Sequence, residues 1–252
     1  MASRISNFGI AASAVTLAVL ATSARAGLME LSLLDGTPAD TVVVPDNTAG
    51  LDLSPTTGKI IFNGPVGSVF TTNITVGTSN SPGVVTGKLQ LSSIDVHNDT
   101  NVTATLTIKL TDIDFNVPTY LDTLTLRSSF GGTEYNPSVG DEISFQSYAD
   151  ASNVQYGTGT AAPFQDFIAT PGDVSAGQFS LTGPNTDVNT WFVYSSKYSM
   201  TAVVTLTLGP GAEANISGTT SLSGVENGVP EPASLGLLGL GALGLFARRR
   251  SR

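Results

Sequence analysis

Hydrophobic and polar residues alternate along much of the chain. The pattern is clearest over residues 102–110, where Val, Ala, Leu and Ile occupy the even positions and Thr and Lys the odd ones. The same period of two recurs over 204–208 and 70–76, again with Thr on the polar side. A period of two is typical of strands that have one buried and one solvated face. The pattern therefore predicts β-strands whose threonines face outward.

Short turn sequences separate these strands, and they include Asp35-Gly36, Ser81-Pro82-Gly83, Gly140-Asp141 and Gly209-Pro210-Gly211. No stretch of 12 residues between the two chain ends has a helical stripe. We therefore predict an all-β fold, an antiparallel β-sandwich or jelly-roll-like domain, over residues 27–223. The part over 131–190 is rich in Gly, Pro, Asn and Asp. It is either a long functional loop region or an irregular part of the sandwich.

Residues 1–26 have the features of a cleavable signal helix. Arg4 supplies a positive charge, and an apolar run follows that is shorter than a membrane span. Ala24 and Ala26 are the small residues that signal peptidase requires, so Gly27 is the predicted first residue of the mature protein.

The chain ends in a second apolar segment, over residues 229–252. Residues 233–247 are apolar, and this run of 15 residues is shorter than the roughly 20 that cross a bilayer. The arginines that follow can lengthen the span, because their aliphatic stems lie along apolar surface. We predict a transmembrane helix with a cytoplasmic basic end. The G-x-G-x-x-G pattern at 239–244 lacks the strand and downstream acid of a nucleotide site, so it predicts none.

The order of features in this segment is informative. A Pro-Glu-Pro break precedes the Gly/Leu-rich span, and a basic cluster follows it; the residues are Val229, Pro230, Glu231, Pro232, Arg248, Arg249 and Arg250. This arrangement resembles the PEP-CTERM sorting signal, and the resemblance is confined to the tail. It implies that an exosortase in the inner membrane of a Gram-negative bacterium cuts near the Pro-Glu-Pro. The implied destination is the cell surface or extracellular matrix, and residues 224–228 are the predicted linker.

Charge is distributed unevenly along the chain. The whole chain has a net charge of −9, but six of its 11 basic residues lie in the two removable ends. Residues 27–228 keep five basic residues against 19 acidic ones, a net charge of −14. Such a surface repels nucleic acid, so we predict no nucleic-acid partner. Cysteine is absent, which excludes disulfides and thiolate metal sites.

Few residues suggest catalysis. His97 is the only histidine, which excludes zinc sites built on two or three histidines, and we predict that it lies in a surface loop. Glycoside hydrolysis would need a carboxyl pair, for which the chain offers Asp112 with Asp114, and Glu134 and Glu142 are further candidates. With 19 acidic residues some pair arises by chance, so we predict a non-catalytic protein without a required cofactor.

Two groups of oxygen-bearing side chains are candidate calcium ligands. Asp95, Asn98 and Asp99 form one group, with Asn101 in the same probable turn, and the other group is Asp112, Asp114 and Asn116. Calcium binds six to eight oxygens from carboxylates, amides and carbonyls. The alternative is that these residues are solvated Asp and Asn that form turns for local reasons.

The only tryptophan lies in an alternating apolar stretch. Trp191 and Val193 occupy one side and Phe192 the other, and we predict that Trp191 belongs to the core. The main functional interpretation is a surface or matrix protein associated with exopolysaccharide or biofilm. The alternatives are a carbohydrate-binding module and a polysaccharide-active hydrolase.

Overall fold

The computed structural model describes residues 28–83, 86–116, 124–181, 187–193 and 196–224. The strands are β1 Glu30–Leu34, β2 Val42–Pro45, β3 Lys59–Val66, β4 Phe70–Ser79, β5 Gly87–Asn98, β6 Ala104–Phe115, β7 Leu124–Tyr135, β8 Glu142–Asp150, β9 Thr160–Ala161, β10 Gln165–Ile168, β11 Gln178–Ser180, β12 Asp187–Phe192, β13 Tyr198–Leu208 and β14 Glu213–Gly224. The helical segments are a 3-10 turn over Pro38–Asp40 and α1 over Pro171–Ala176.

The strands form two antiparallel sheets of seven strands each. The first sheet has the order β10-β8-β13-β6-β1-β2, and β9 also pairs with β8. The second has the order β11-β7-β14-β5-β4-β3, and β12 also pairs with β7. The chain crosses repeatedly between them, for example from β5 to β6 and from β13 to β14. The predicted all-β antiparallel sandwich is confirmed.

The core lies between the inner faces of the two sheets. Phe130 of β7 stacks on Phe145 of β8, with ring centroids 4.9 Å apart. The Oγ of Ser147 bridges the sheets through buried hydrogen bonds to Ser128 at 2.9 Å and Thr220 at 2.6 Å. Such partners are needed because a buried hydroxyl without one costs free energy.

The alternation that predicted β6 matches its burial. Leu106, Ile108 and Leu110 are fully buried, whereas Thr105 points outward. Val102 differs from the prediction, because β6 begins only at Ala104 and Val102 is 59% exposed. The Val102 carbonyl accepts hydrogen bonds from Asn98 and Thr100 within the β5–β6 turn. Because Val102 belongs to the turn, the strand begins two residues later than predicted.

The loosely patterned part over 131–190 belongs to the sandwich where it is described. β8 and β10 pair in the first sheet, and β11 and β12 both pair with β7 at the edge of the second. Helix α1 connects β10 to β11, and Gly177 ends it with the left-handed φ of 68° that glycine favours.

The predicted signal and transmembrane helices, with the processing residues at Ala24, Ala26 and Gly27 and at 229–250, lie outside the described residues. Within the described ranges, neither helical segment has the length and hydropathy that crossing a bilayer requires.

Candidate functional site

Asn98, a predicted calcium ligand, organises the turn between β5 and β6. Its side chain is fully buried, and Nδ2 donates to the carbonyls of Val102, Leu208 and Gly209, each at 2.9 Å. Its Oδ1 accepts hydrogen bonds from the backbone N–H and the hydroxyl of Thr100. Both ends of the amide therefore bind protein atoms that tie the end of β5 to the end of β13.

The two acids beside Asn98 have partners on neighbouring strands. Asp95 accepts a hydrogen bond from the amide of Asn215 on β14. Asp99 accepts one from the Thr71 hydroxyl at 2.6 Å and contacts Nδ1 of His97 at 2.8 Å, and these bonds lower the pKa of Asp99. His97 is on the surface as predicted, but the loop prediction is wrong because β5 continues through Asn98 and His97 is paired within it.

The other predicted group lies at the opposite end of the sandwich. Asp112 is 5% exposed, and burial raises its pKa to about 6. Asp114 has a left-handed φ of 67°, and its Oδ1 accepts from Asn153 at 2.9 Å and from Lys197 Nζ at 3.0 Å. Asn116 is half-buried directly after β6.

A further buried acid, Asp46, lies near Asp112 and was not predicted from the sequence. Asp46 follows β2 and is 4% exposed; its Oδ2 accepts the N–H of Gly58 at 2.8 Å, while its buried Oδ1 has no hydrogen bond. Burial raises the pKa of Asp46, and the nearby Asp52 carboxylate contributes to the rise. Asp52 differs, because its oxygens accept three backbone N–H groups, those of Asn47, Ser54 and Ile61. No residue spacing in the sequence indicated that Asp46 would be buried.

The two predicted calcium groups do not meet. Asn98 binds the carbonyl of Leu208, which is opposite Ala104 at the start of β6, so Asp112, eight residues farther along β6, lies at the far end. Across the described part of the chain, no three His, Asp or Glu side chains are close enough to hold a metal ion together. Calcium binding at either group stays a prediction.

Glu134 stands out among the candidate catalytic acids. It is fully buried at the end of β7, and neither of its carboxyl oxygens has a hydrogen bond of ordinary geometry. Burial raises the pKa of Glu134 to about 9, and the adjacent carboxyl of Asp141, 2% exposed, adds to the rise. The carboxyl beside Glu134 is thus that of Asp141, whereas Glu142, the other further candidate, is exposed.

The prediction that Trp191 belongs to the core is wrong. Its side chain is 66% exposed, whereas Phe192 is buried and packs edge-on against Tyr198, with centroids 5.5 Å apart. Because successive side chains of a strand point to opposite faces, burying Phe192 places Trp191 on the outer face of the second sheet. There it lies directly opposite Thr125 of β7.

The outer face around Trp191 is polar and includes basic side chains. Arg127 lies two residues beyond Thr125 on β7, Ser221 is opposite it on β14, and Lys88 is opposite Ser221 on β5. Arg127 and Lys88 are both exposed. Farther along the same strands is a shallow depression lined by Ser129, Phe130, Gly131, Ser217, Gly218 and Thr219.

Comparison with solved structures returns distant likenesses. One is the carbohydrate-binding module TmCBM61 in complex with β-1,4-galactotriose, at 10% identity and a TM-score of 0.24, covering 61% of this chain and 88% of that chain. Another is a structure on the promiscuous specificity of carbohydrate-binding modules from the β-sandwich superfamily. Its identity is 10% and its TM-score 0.21, and the likeness covers 70% of this chain and 64% of that chain. A third is dimeric latent PorU from Porphyromonas gingivalis, at 12% identity and a TM-score of 0.22. This likeness covers 79% of this chain and 13% of that chain. TM-scores this low establish neither a shared ligand nor a shared site.

Sequence comparison is informative only at the C-terminus. No curated protein matches the chain. The family model for the PEP-CTERM protein-sorting motif matches residues 228–251, the segment that holds the Pro-Glu-Pro, the apolar span and the basic cluster. This motif implies export, processing by an exosortase at the membrane and transfer to the surface. The chain therefore carries a PEP-CTERM sorting motif directly after its β-sandwich.

Proposed function

We propose that the protein is a non-catalytic component of the cell surface or extracellular matrix, associated with exopolysaccharide or biofilm. The observation that carries this proposal is the sorting motif at 228–251, which begins four residues after β14 ends at Gly224. Signal peptidase and exosortase act on the two ends, the inner membrane holds the chain transiently, and the sandwich is the exported product.

The first test is the intact mass of the protein from an exosortase-bearing host and from its exosortase deletion. We expect loss of residues 1–26 in both strains, because signal peptidase acts independently of exosortase. Loss of the tail near Pro230 should occur only in the parent. A tail that stays intact in both strains would contradict sorting and leave a membrane-anchored protein.

A second candidate function, carbohydrate binding, is favoured by the exposure of Trp191. A large aromatic ring at 66% exposure on a polar sheet face can stack on the apolar face of a sugar ring. The hydroxyls of Thr125, Ser221 and Ser223 lie on the strands beside it and can bind sugar hydroxyls.

Trp191→Ala should weaken binding to exopolysaccharide from the host by about tenfold, because losing one stacked ring costs about 1.4 kcal/mol. The measurement is a pull-down or calorimetric titration with the purified polymer. Phe164→Ala is the matched control, because Phe164 is 56% exposed and lies beside β10, an edge strand of the other sheet. Equal binding by the Trp191→Ala variant and the parent would sink this function and leave sorting intact.

A further inference from the structure

The sandwich has two ends, which we call the tail end and the far end. At the tail end β14 stops at Gly224, beside the starts of β5 and β7. At the far end β14 begins at Glu213, beside the end of β5. The first sheet shares these ends, because β5 leads into β6 and β13 into β14 through turns at the far end. The length of β14 separates the two ends by about 37 Å.

Acidic residues are concentrated at the far end. Strand registers place Glu142, Asp166 and Glu213 there. The segments with Asp40 and Asp173 adjoin the same end, the first beside Gly67 after β3 and the second through the backbone hydrogen bond from Ala169 to Asp141. The far end has ten acidic residues: the exposed Asp40, Asp99, Glu142, Asp166, Asp173 and Glu213, and the more buried Asp35, Asp95, Glu134 and Asp141. No Lys or Arg of the described part of the chain lies there.

The tail end is much closer to neutral. It has four of the five basic residues of 27–228, namely Lys59, Lys88, Arg127 and Lys197. Its described acids are all buried or half-buried, and they are Glu30, Asp46, Asp52, Asp112, Asp114 and Asp150. Asp122 and Glu226 adjoin this end in the sequence and lie outside the described residues.

The two ends therefore differ in net charge. Four basic residues against eight acidic ones give −4 at the tail end, and ten acidic residues without a basic one give −10 at the far end. Lys109, opposite Val203, and Asp187, opposite Ser129, lie near the middle of their sheets and belong to neither end. Because the difference is one of net charge, it does not require any single cation to be unpaired.

Exposed apolar side chains accompany the lower charge of the tail end. Trp191 and Val193 are 66% and 62% exposed at the end of β12. Leu28 lies at the start of β1, and its carbonyl accepts a hydrogen bond from Gln155, which brings the exposed Val154 to the same end. Tryptophan is enriched where lipid meets water, because its ring is apolar and its N–H is polar.

The sorting tail leaves the sandwich from this end. Ala233, the first residue of the apolar run, is nine residue steps beyond Gly224, a reach of at most about 31 Å. A tether of that length allows the sandwich to stand on its tail end or to lie on its side. The potential of an anionic lipid surface decays over a Debye length of about 8 Å at physiological salt. Standing on the tail end keeps the far-end acids several Debye lengths away, whereas lying down brings them into the potential.

We propose that the tail end is a membrane-facing surface, turned to the headgroups of an anionic phospholipid bilayer while the sorting tail holds the chain there. Trp191 and Val193 contact the lipid, and repulsion of the far-end acids keeps the sandwich upright. The same contact covers Trp191 until exosortase releases the domain, so a polymer reaches Trp191 only after processing. This inference rests on the membrane-held stage of the proposed function.

The experiment uses Trp191, the only tryptophan of the chain, as a probe of the tail end. The unprocessed full chain is placed in phosphatidylglycerol vesicles that contain lipids brominated near the headgroup, which quench tryptophan at close range. The double variant Trp191→Phe/Tyr135→Trp moves the probe to the far end, since Tyr135 is 44% exposed and opposite Glu213. We expect Trp191 to be quenched severalfold more than the far-end probe.

The role of charge is tested on the far-end probe. Quenching of this probe should rise in phosphatidylcholine vesicles, which carry no net charge, and when salt is raised from roughly 50 to roughly 500 mM. It should also rise in phosphatidylglycerol when Glu142→Gln, Asp166→Asn and Glu213→Gln are added, because these changes remove three exposed charges. The same three changes should have no effect in phosphatidylcholine, which serves as the matched control.

The outcomes separate this inference from the proposed function. Equal quenching of the two probes in phosphatidylglycerol, in a chain that floats with the vesicles, would overturn the orientation alone. A difference between the probes that lipid charge, salt and the three changes all leave unaltered would overturn repulsion as its cause. A chain that does not float with vesicles of either lipid would overturn the membrane-held stage itself.

Discussion

Replacing Glu134 by glutamine should stabilise the protein at neutral pH. The pKa of Glu134 is about 9 in the folded protein, against 4.5 for an ordinary glutamate, because the carboxyl is buried beside Asp141. Folding at pH 7 must therefore protonate a group that is ionised in the unfolded chain. This costs up to about 3 kcal/mol for a difference of roughly 2.5 pH units. Glutamine has nearly the same shape and no charge, so it removes that cost.

The sign of the pH dependence follows from the same shift. Below pH 4.5 Glu134 is protonated in both states and its neutral form costs nothing. Between pH 4.5 and about 9 the folded state binds the extra proton, so the free energy of unfolding falls as pH rises. Asp112, with a pKa of about 6, adds a smaller fall between pH 3.8 and 6.

Urea unfolding at pH 5 and pH 8 measures the effect. The parent should lose stability between these values, and Glu134→Gln should lose much less. Glu142→Gln is the control, since Glu142 is exposed on β8 and the same change there should alter little. A Glu134→Gln variant less stable than the parent at pH 8 would show that the carboxyl is ionised and partnered in the fold.

Asn98→Ala should destabilise the protein by about 3 kcal/mol. The substitution leaves the carbonyls of Val102, Leu208 and Gly209 without their donor in a buried turn. An unsatisfied buried polar group costs about 1–3 kcal/mol, although water that enters the turn will recover part of this. For a domain of this size the melting temperature should fall by about 10 °C.

Asn98→Asp separates this role from calcium binding. Aspartate cannot donate to the three carbonyls, so a structural role predicts destabilisation close to that of alanine, with or without calcium. Asn101→Ala, an exposed position in the same turn, should have little effect. If Asn98 were a calcium ligand, the added carboxylate would be tolerated and calcium would raise the melting temperature of the variant.

The alternation of apolar and polar residues predicted the strands well, because the apolar positions of a half-buried strand are the ones that face the core. Leu106, Ile108 and Leu110 show this in β6. The pattern also placed Trp191 and Phe192 on opposite faces, but both are apolar, so it could not decide which one points inward. That choice depends on the pairing of β12 with β7 and on the packing of Phe192 against Tyr198.

The buried polar groups were harder to predict. Asn98 is held by a carbonyl 110 residues away, and nothing near it in the sequence indicates that partner. Glu134 did leave a signal, because it continues the inward phase of Leu124, Leu126 and Phe130 along β7. A charged residue in the buried phase of a strand is the pattern by which the amino-acid sequence alone identifies such a group.

The position of β14 limits how far the exosortase cleavage site can be from the folded domain. β14 lies between β5 and β7; its last two residues, Ser223 and Gly224, pair with β7, and from Leu222 backwards it pairs with both neighbours, so releasing its end would break the second sheet. Val229 is five residue steps beyond Gly224, a reach of at most about 17 Å when fully extended. Ser223, Thr125 and Trp191 are successive partners at this same end. We therefore expect the attachment point of the processed terminus and a polymer bound at Trp191 to lie within a few nanometres of each other. The domain would then join two surface layers over a short distance.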